Sequence, residues 1–268
     1  MDYKFLLGIG VAVAIIFFVA AFATSLSKQN QPTDRETLYQ VSTIDALMQG
    51  VFDGVETVGD LKKHGDFGIG TFDALDGEMI VLDGKYYQAK ADGRIYPAPD
   101  NATTPFATVT DFSTDIKEKT DHAMNFSVFS ATMSARLPSA NMIYAVKIHD
   151  TFPLVKVRAI PAQHKPYPTL ADAAENQSVY TYSKVTGTIV GFYTPVIFKG
   201  LNVPGYHLHF IADDHLTGGH ILEVTIPENS TVEYDITPGF ATALPTSGAF
   251  TGVDLSQDQS AALAKVEQ

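Results

Sequence analysis

The chain has 268 residues, 45% of them hydrophobic, with a net charge of −12 and no run of Lys or Arg. A surface of that sign repels phosphate backbones and excludes nucleic-acid binding. Cysteine is absent, which excludes disulfides, thiolate nucleophiles, a lipobox and thiolate-bound metals, so any metal is held by His, Asp or Glu.

Phe5 to Ala23 form an apolar run preceded by Lys4, and Ala21-Phe22-Ala23 has the small-x-small pattern cut by signal peptidase. Residues 1–23 therefore read as a signal peptide, with an uncleaved anchor as the alternative because the run nearly spans a bilayer. Either reading places the folded part outside the cytoplasm, secreted or otherwise extracytoplasmic. Residues 24–36 are polar and read as a linker.

Ile44 to Met48 with Val51 and Phe52 predict a short amphipathic helix capped by Ser42 or Thr43. Gly68 to Phe72 opens a strand-rich region. Met79 to Leu82 and Lys85 to Ala89 flank Asp83-Gly84, a hairpin signal, and Asp76-Gly77 marks a tight turn before Glu78. Pro97 to Pro105 reads as loop and Asp111 to Arg136 as an interrupted helix. Met142 to His149 and Phe152 to Ala159 read as strands. Pro161 to Glu175 carries three prolines and marks the expected boundary between domains at 37–170 and 171–268.

Beyond Ser178 the pattern is almost pure β: Val179 to Lys184, Thr186 to Tyr193, Tyr206 to Ala212, Ile221 to Ile226 and Thr231 to Ile236. With 17 Phe, 12 Tyr and no Trp, aromatic and β-branched residues fill the core, which suits sheet. The chain ends in an expected short helix. Ser256 and Gln259 form a capping box, and Leu263 and Val266 share a face.

Three histidines carry the chemistry. His207 and His209 alternate around Leu208 on a strand, so both imidazoles project from one face. The turn formers Asp213, Asp214, Gly218 and Gly219 then fold the chain back and bring His220 beside His209. Three imidazoles converging with open coordination positions are the ligand set of a catalytic zinc rather than of a closed structural site. One histidine on a strand is usually a surface or satisfied core residue; three at this spacing, in a chain with eight, favour a metal. His215 sits in the turn and is expected to face solvent. His64, His122, His149 and His164 are scattered.

The segments Gly205-Tyr206-His207-Leu208-His209-Phe210 and Gly218-Gly219-His220 resemble the metal-binding hairpin of acetolactate decarboxylases. Gly70 to Met79 (GTFDALDGEM) resembles the family's other signature, and the likeness continues through Phe152 to Ala159, covering about Leu38 to the C-terminus. The resemblance implies an α/β fold: a mixed-sheet N-terminal domain and a smaller β-rich C-terminal domain carrying the hairpin, in a homodimer. It implies that His207, His209 and His220 bind Zn2+, that Glu78 and a glutamate near the C-terminus sit beside it, and that Arg158 faces the substrate. Glu267 is the candidate for the terminal glutamate. The implied reaction is decarboxylation of 2-acetolactate to acetoin and carbon dioxide.

These residue types suit that reaction. A divalent cation chelating the ketone and hydroxyl oxygens is a sink for the enediolate left when carbon dioxide departs. Arg158 can hold the carboxylate or the developing charge, and Glu78 can protonate the carbon from one face. Thr71, in the same signature, is a hydrogen-bonding neighbour to the substrate. A cupin-like oxygenase also uses His-x-His, but its glutamate ligand follows within a few residues, where this chain has Asp213 and Asp214. A carbonic-anhydrase-like hydratase shares the three imidazoles and nothing else. A secreted zinc-binding or solute-binding module has no use for Arg158 beside its cation.

Overall fold

The computed structural model describes residues 36–267; the expected signal or anchor segment and the linker up to residue 35 lie outside them. The fold is mostly β, with a few short helices.

The strands are β1 (Thr37–Val41), β2 (Glu56–Thr57), β3 (Phe67–Thr71), β4 (Glu78–Leu82), β5 (Lys85–Ala89), β6 (Ile95–Pro97), β7 (Thr103–Thr104), β8 (Ala107–Thr110), β9 (Ile116–Lys119) and β10 (Met124–Asn125). They continue with β11 (Ile143–Ala159), β12 (Ser178–Thr194), β13 (Gly205–Ala212), β14 (Gly218–Ile226), β15 (Thr231–Thr237) and β16 (Gly239–Ala243). The α-helices are α1 (Ile44–Met48), α2 (Val58–Leu61), α3 (Phe126–Ser134), α4 (Leu170–Ala174) and α5 (Ser260–Glu267). None of the described helices is long and apolar enough to cross a membrane.

One sheet has the order β16-β1-β8-β3-β4-β5-β6. It is mixed, because β16 runs parallel to β1 while the other neighbours are antiparallel. The other has the order β10-β14-β13-β12-β11-β15-β9, and β14 pairs with β11 as well. Strands β11, β12, β13 and β14 therefore close on one another. Leu38, Phe67, Ile69 and Ile80 of the first sheet share a buried cluster with Ala145, Val190, Phe192 and Ile211 of the second, so the two pack face to face. A second cluster lies within the closed strands, where Phe152 meets Phe210 edge-on at 5.8 Å.

The expected α/β balance is not met, because the segment from Asp111 to Arg136 is helical only at α3. Ile116 to Lys119 alternates half-buried and exposed residues, pairs with β15 and is strand. The four strands expected between Met142 and Tyr193 are two. Pro153, which has no N–H, stands opposite Lys184 as a gap in the β11–β12 ladder and does not end it. The proline-bearing segment expected as a domain boundary is the link between these two long partners. Residues before and after it thus share one sheet, and all the described residues fall in one compact unit.

The hairpin expected at Asp83-Gly84 is present between β4 and β5, both turn residues having positive φ (50° and 72°). The cap of α1 is Thr43, whose hydroxyl accepts from the Ala46 N–H. The C-terminal helix starts at Ser260, where Asp258 accepts from the backbone N–H; Ser256 lies before it and the expected capping box is not the cap. Leu263 and Val266 are buried against Ile44, Leu47, Phe106 and Leu170, so the helix docks at the end of the sheets.

Candidate metal centre and active site

His207 and His209 lie on β13 and His220 on β14, with His209 and His220 directly opposite. Their ring centroids are 5.0 to 5.3 Å apart, and one ring nitrogen from each lies within 4.8 Å of the others. All three are buried. Gly219 precedes His220 with φ +148°, and a side chain there would run into the Arg158 carbonyl. Glycine thus lets β14 approach β11 closely, and it makes Arg158 the cross-strand partner of His220.

Glu78 comes from the first sheet. It opens β4 opposite Thr71, the last residue of β3. The turn between them carries Ala74 and Leu75 at φ 58° and Gly77 at φ +80°, a costly backbone for the two non-glycine residues. The Thr71 hydroxyl donates to the Gly77 carbonyl at 2.7 Å, tying down the turn. Thr71 therefore positions Glu78 while also lining the cavity between the sheets.

Glu267, the last residue of α5, reaches the same point. Its Oε1 accepts from Arg158 Nη2 at 3.1 Å, and its Oε2 stands 3.2 Å from His207 Nε2 and 3.8 Å from His220 Nε2. Glu78 Oε1 lies 3.9 Å from Arg158 Nε, and its Oε2 lies 3.9 Å from His209 Nε2. The structure thus brings together all seven residues expected from the sequence. His215 is exposed in the β13–β14 turn.

The donor set fits a metal ion. His209 Nδ1 donates to the Met79 carbonyl at 2.9 Å, which fixes the tautomer and leaves the Nε2 lone pair facing the other imidazoles. This carbonyl gives no signal in a sequence, and it went unpredicted. His209 Nε2, His220 Nε2 and Glu267 Oε2 are buried without a hydrogen-bond partner. A buried polar atom left this way is costly, and a cation held by the three imidazoles would compensate the group. Burial holds the imidazoles neutral, the form that ligates: it lowers His207 to about 3 with help from Arg158, and depresses His209 and His220 strongly. Three imidazoles with two carboxylates beside them suit a divalent ion.

Arg158 is 3% exposed, and its Nε and Nη1 have no hydrogen-bond partner, so part of its fork is available to a bound anion. Burial pushes Glu78 up to about 7, against the lowering by Arg158 and with a further push from Glu267. The cavity these groups line has a volume of about 30 Å³, room for a few waters. Glu267 also lines a groove of about 780 Å³ running along α3 and past Tyr206, so the end of α5 stands between that groove and the imidazoles.

Known proteins resemble the chain over most of its length. The sequence model described as alpha-acetolactate decarboxylase matches residues 38–257. The chain is 52% identical to the alpha-acetolactate decarboxylase of Methanosarcina mazei over 87% of this chain and 81% of that one. It is 41% identical to that of Methylococcus capsulatus over 93% and 97%. The crystal structure of alpha-acetolactate decarboxylase from Bacillus subtilis strain 168 superposes with a TM-score of 0.82 at 36% identity, over 86% of this chain and 98% of that one. On the strength of the matched length and of these identities, the chain belongs to the alpha-acetolactate decarboxylase family of carboxy-lyases.

Proposed function

We propose that the protein is a zinc-dependent decarboxylase that converts 2-acetolactate to acetoin and carbon dioxide, with His207, His209 and His220 holding the metal. One observation carries the reading: three buried neutral imidazoles face an arginine with unfilled donors and two buried glutamates. A storage site for zinc needs the imidazoles but not the arginine.

His207, His209 and His220 would hold the ion, which when bound would supply Lewis-acid stabilisation of the charge that develops on the substrate oxygens. Arg158 binds the substrate through Nε and Nη1, holding the carboxylate while the C–C bond to it breaks. The electron pair stays on the substrate carbon as carbon dioxide leaves. Glu78, protonated in its buried site, gives its proton to that carbon and takes another from solvent afterwards. Glu267 holds Arg158 by its Oε1 and keeps the other oxygen toward the imidazoles. Thr71 keeps Glu78 in place. The α5 end and the apolar side chains of α1 and α4 exclude water, which strengthens each of these electrostatic contacts.

The same reading makes the enzyme an exported homodimer, released from or anchored by residues 5–23. The test is metal analysis of the purified protein together with a colour assay for acetoin. Zinc near one equivalent and acetoin release that a chelator stops and zinc restores support the proposal. A protein that binds zinc but forms no acetoin from 2-acetolactate refutes it.

A further inference from the structure

The imidazoles, Arg158 and the two glutamates make one side of the cavity between the sheets, and the other side is apolar. Leu47, Leu75, Phe106 and Leu170 line it, and all belong to one buried cluster. The cavity is small, about 30 Å³. A substrate whose oxygens meet the polar side therefore lays its alkyl carbons against the apolar one.

Leu75 differs from the rest of that wall in its backbone. It follows Ala74, and both stand at φ 58°, the left-handed region in which Cβ crowds the following carbonyl oxygen. Leucine has no short polar side chain to offset that cost, as Asn and Asp do. Such strain persists only where the surroundings over-determine the backbone. The Ala74 N–H donates to the Phe52 carbonyl at 2.8 Å, and the Ala74 carbonyl accepts from the Gln163 N–H at 2.7 Å. The Leu75 N–H donates to the Phe72 carbonyl and the Gly77 N–H to the Ile160 carbonyl, both at 2.9 Å. The turn is thus held from two sides, by the chain after α1 and by the chain just beyond β11, the strand that carries Arg158. Leu75 is 3% exposed and belongs to the same turn as Glu78.

We infer that Leu75 is the specificity-determining residue for the alkyl group on the substrate carbon that loses carbon dioxide, admitting methyl and resisting ethyl. The inference rests on the decarboxylase reading above. On that reading the substrate oxygens face the ion and its carboxylate faces Arg158, so the methyl is the one small group on that carbon without a polar partner. Glu78 must reach the same carbon to protonate it, which sets the methyl beside the turn that carries Glu78. Leu75 is the apolar side chain which that turn gives to the cavity. Discrimination by size needs a wall that does not recede. Helices α1 and α4, which carry Leu47 and Leu170, are five residues each and can settle inward; the backbone of Leu75 is fixed on both sides.

The test compares kcat/KM of the zinc-loaded full chain for 2-acetolactate and for its homologue with ethyl in place of that methyl. Wild type should favour 2-acetolactate at least about tenfold, the usual worth of one methylene in an apolar pocket. Leu75→Ala should bring the two values close together with zinc content unchanged, and the ratio cancels any general loss of rate. Leu170→Ala removes an equal side chain from α4 and should move the ratio far less. Leu75→Met keeps the volume but is unbranched and yields; it should relax the ratio in the same direction, and it decides if Leu75→Ala does not fold. A wild type indifferent to the ethyl group, or an unchanged ratio in the deciding variant, overturns the inference while acetoin release leaves the decarboxylase reading standing. Equal relaxation in Leu170→Ala overturns it as well, because the limit then belongs to the whole wall. A wild type that forms product from neither substrate overturns the decarboxylase reading and this inference with it.

Discussion

At the scale of single residues the imidazoles and Arg158 do different work, and substitution separates them. Each of His207, His209 and His220 presents a neutral ring to one point, and two imidazoles rarely retain a catalytic ion. Alanine at any of the three should abolish acetoin formation and most bound zinc, as measured by elemental analysis; near-normal turnover in one of them removes it from the ligand set. Arg158→Lys keeps the charge but loses the fork whose Nε and Nη1 are unfilled. Its rate should fall about a hundredfold, the usual cost of a lost donor at developing charge, with zinc content unchanged. Glu78→Gln keeps the shape of the buried side chain but has no proton to give, and should lose about a hundredfold or more in kcat. Full activity in both variants would leave the metal as the only working group. The histidines were legible because they sit inside a local motif, His-x-His with a glycine turn, whereas Glu78 was marked only by the resemblance of Gly70 to Met79 to the family signature. The pairing of Arg158 with His220 was not legible, since it depends on contact between strands more than sixty residues apart.

At the scale of elements, what the sequence concealed was continuity. Asp150-Thr151 and Pro153 look like breakers, yet β11 runs through them because β12 supplies partners on both sides of the gap. Ile116 to Lys119 carries the charges of a helix surface and takes the extended form because β15 offers it an edge. The C-terminal helix shows the reverse case. Its capping box was misplaced, but Leu263 and Val266 correctly marked a docking face, and that docking buries Glu267. Deleting Val266 to Gln268, or making Glu267→Ala, should therefore slow acetoin formation at least about tenfold with little loss of zinc, since the imidazoles remain. A truncated enzyme of normal rate would make Glu267 a bystander and leave Glu78 and Arg158 to act without it.

At the scale of the whole molecule, the site sits where the sheets meet: β4 gives Glu78, β11, β13 and β14 give Arg158 and the histidines, and α5 closes the end with Glu267. A metal held there links the two sheets and the C-terminal helix, and it has no comparable site in the unfolded chain. Binding energy at the imidazoles is then also folding energy. Stripping zinc leaves His209 Nε2, His220 Nε2 and Glu267 Oε2 buried without partners and should lower Tm by about 10 °C, which corresponds to about 4 kcal/mol when free metal exceeds Kd a thousandfold. The shift should return when zinc is added back and should be absent in His209→Ala. Equal melting temperatures for the stripped and reloaded enzyme, with zinc binding verified by elemental analysis, would mean that the two sheets and α5 are held by their apolar contacts alone and that the ion serves chemistry only.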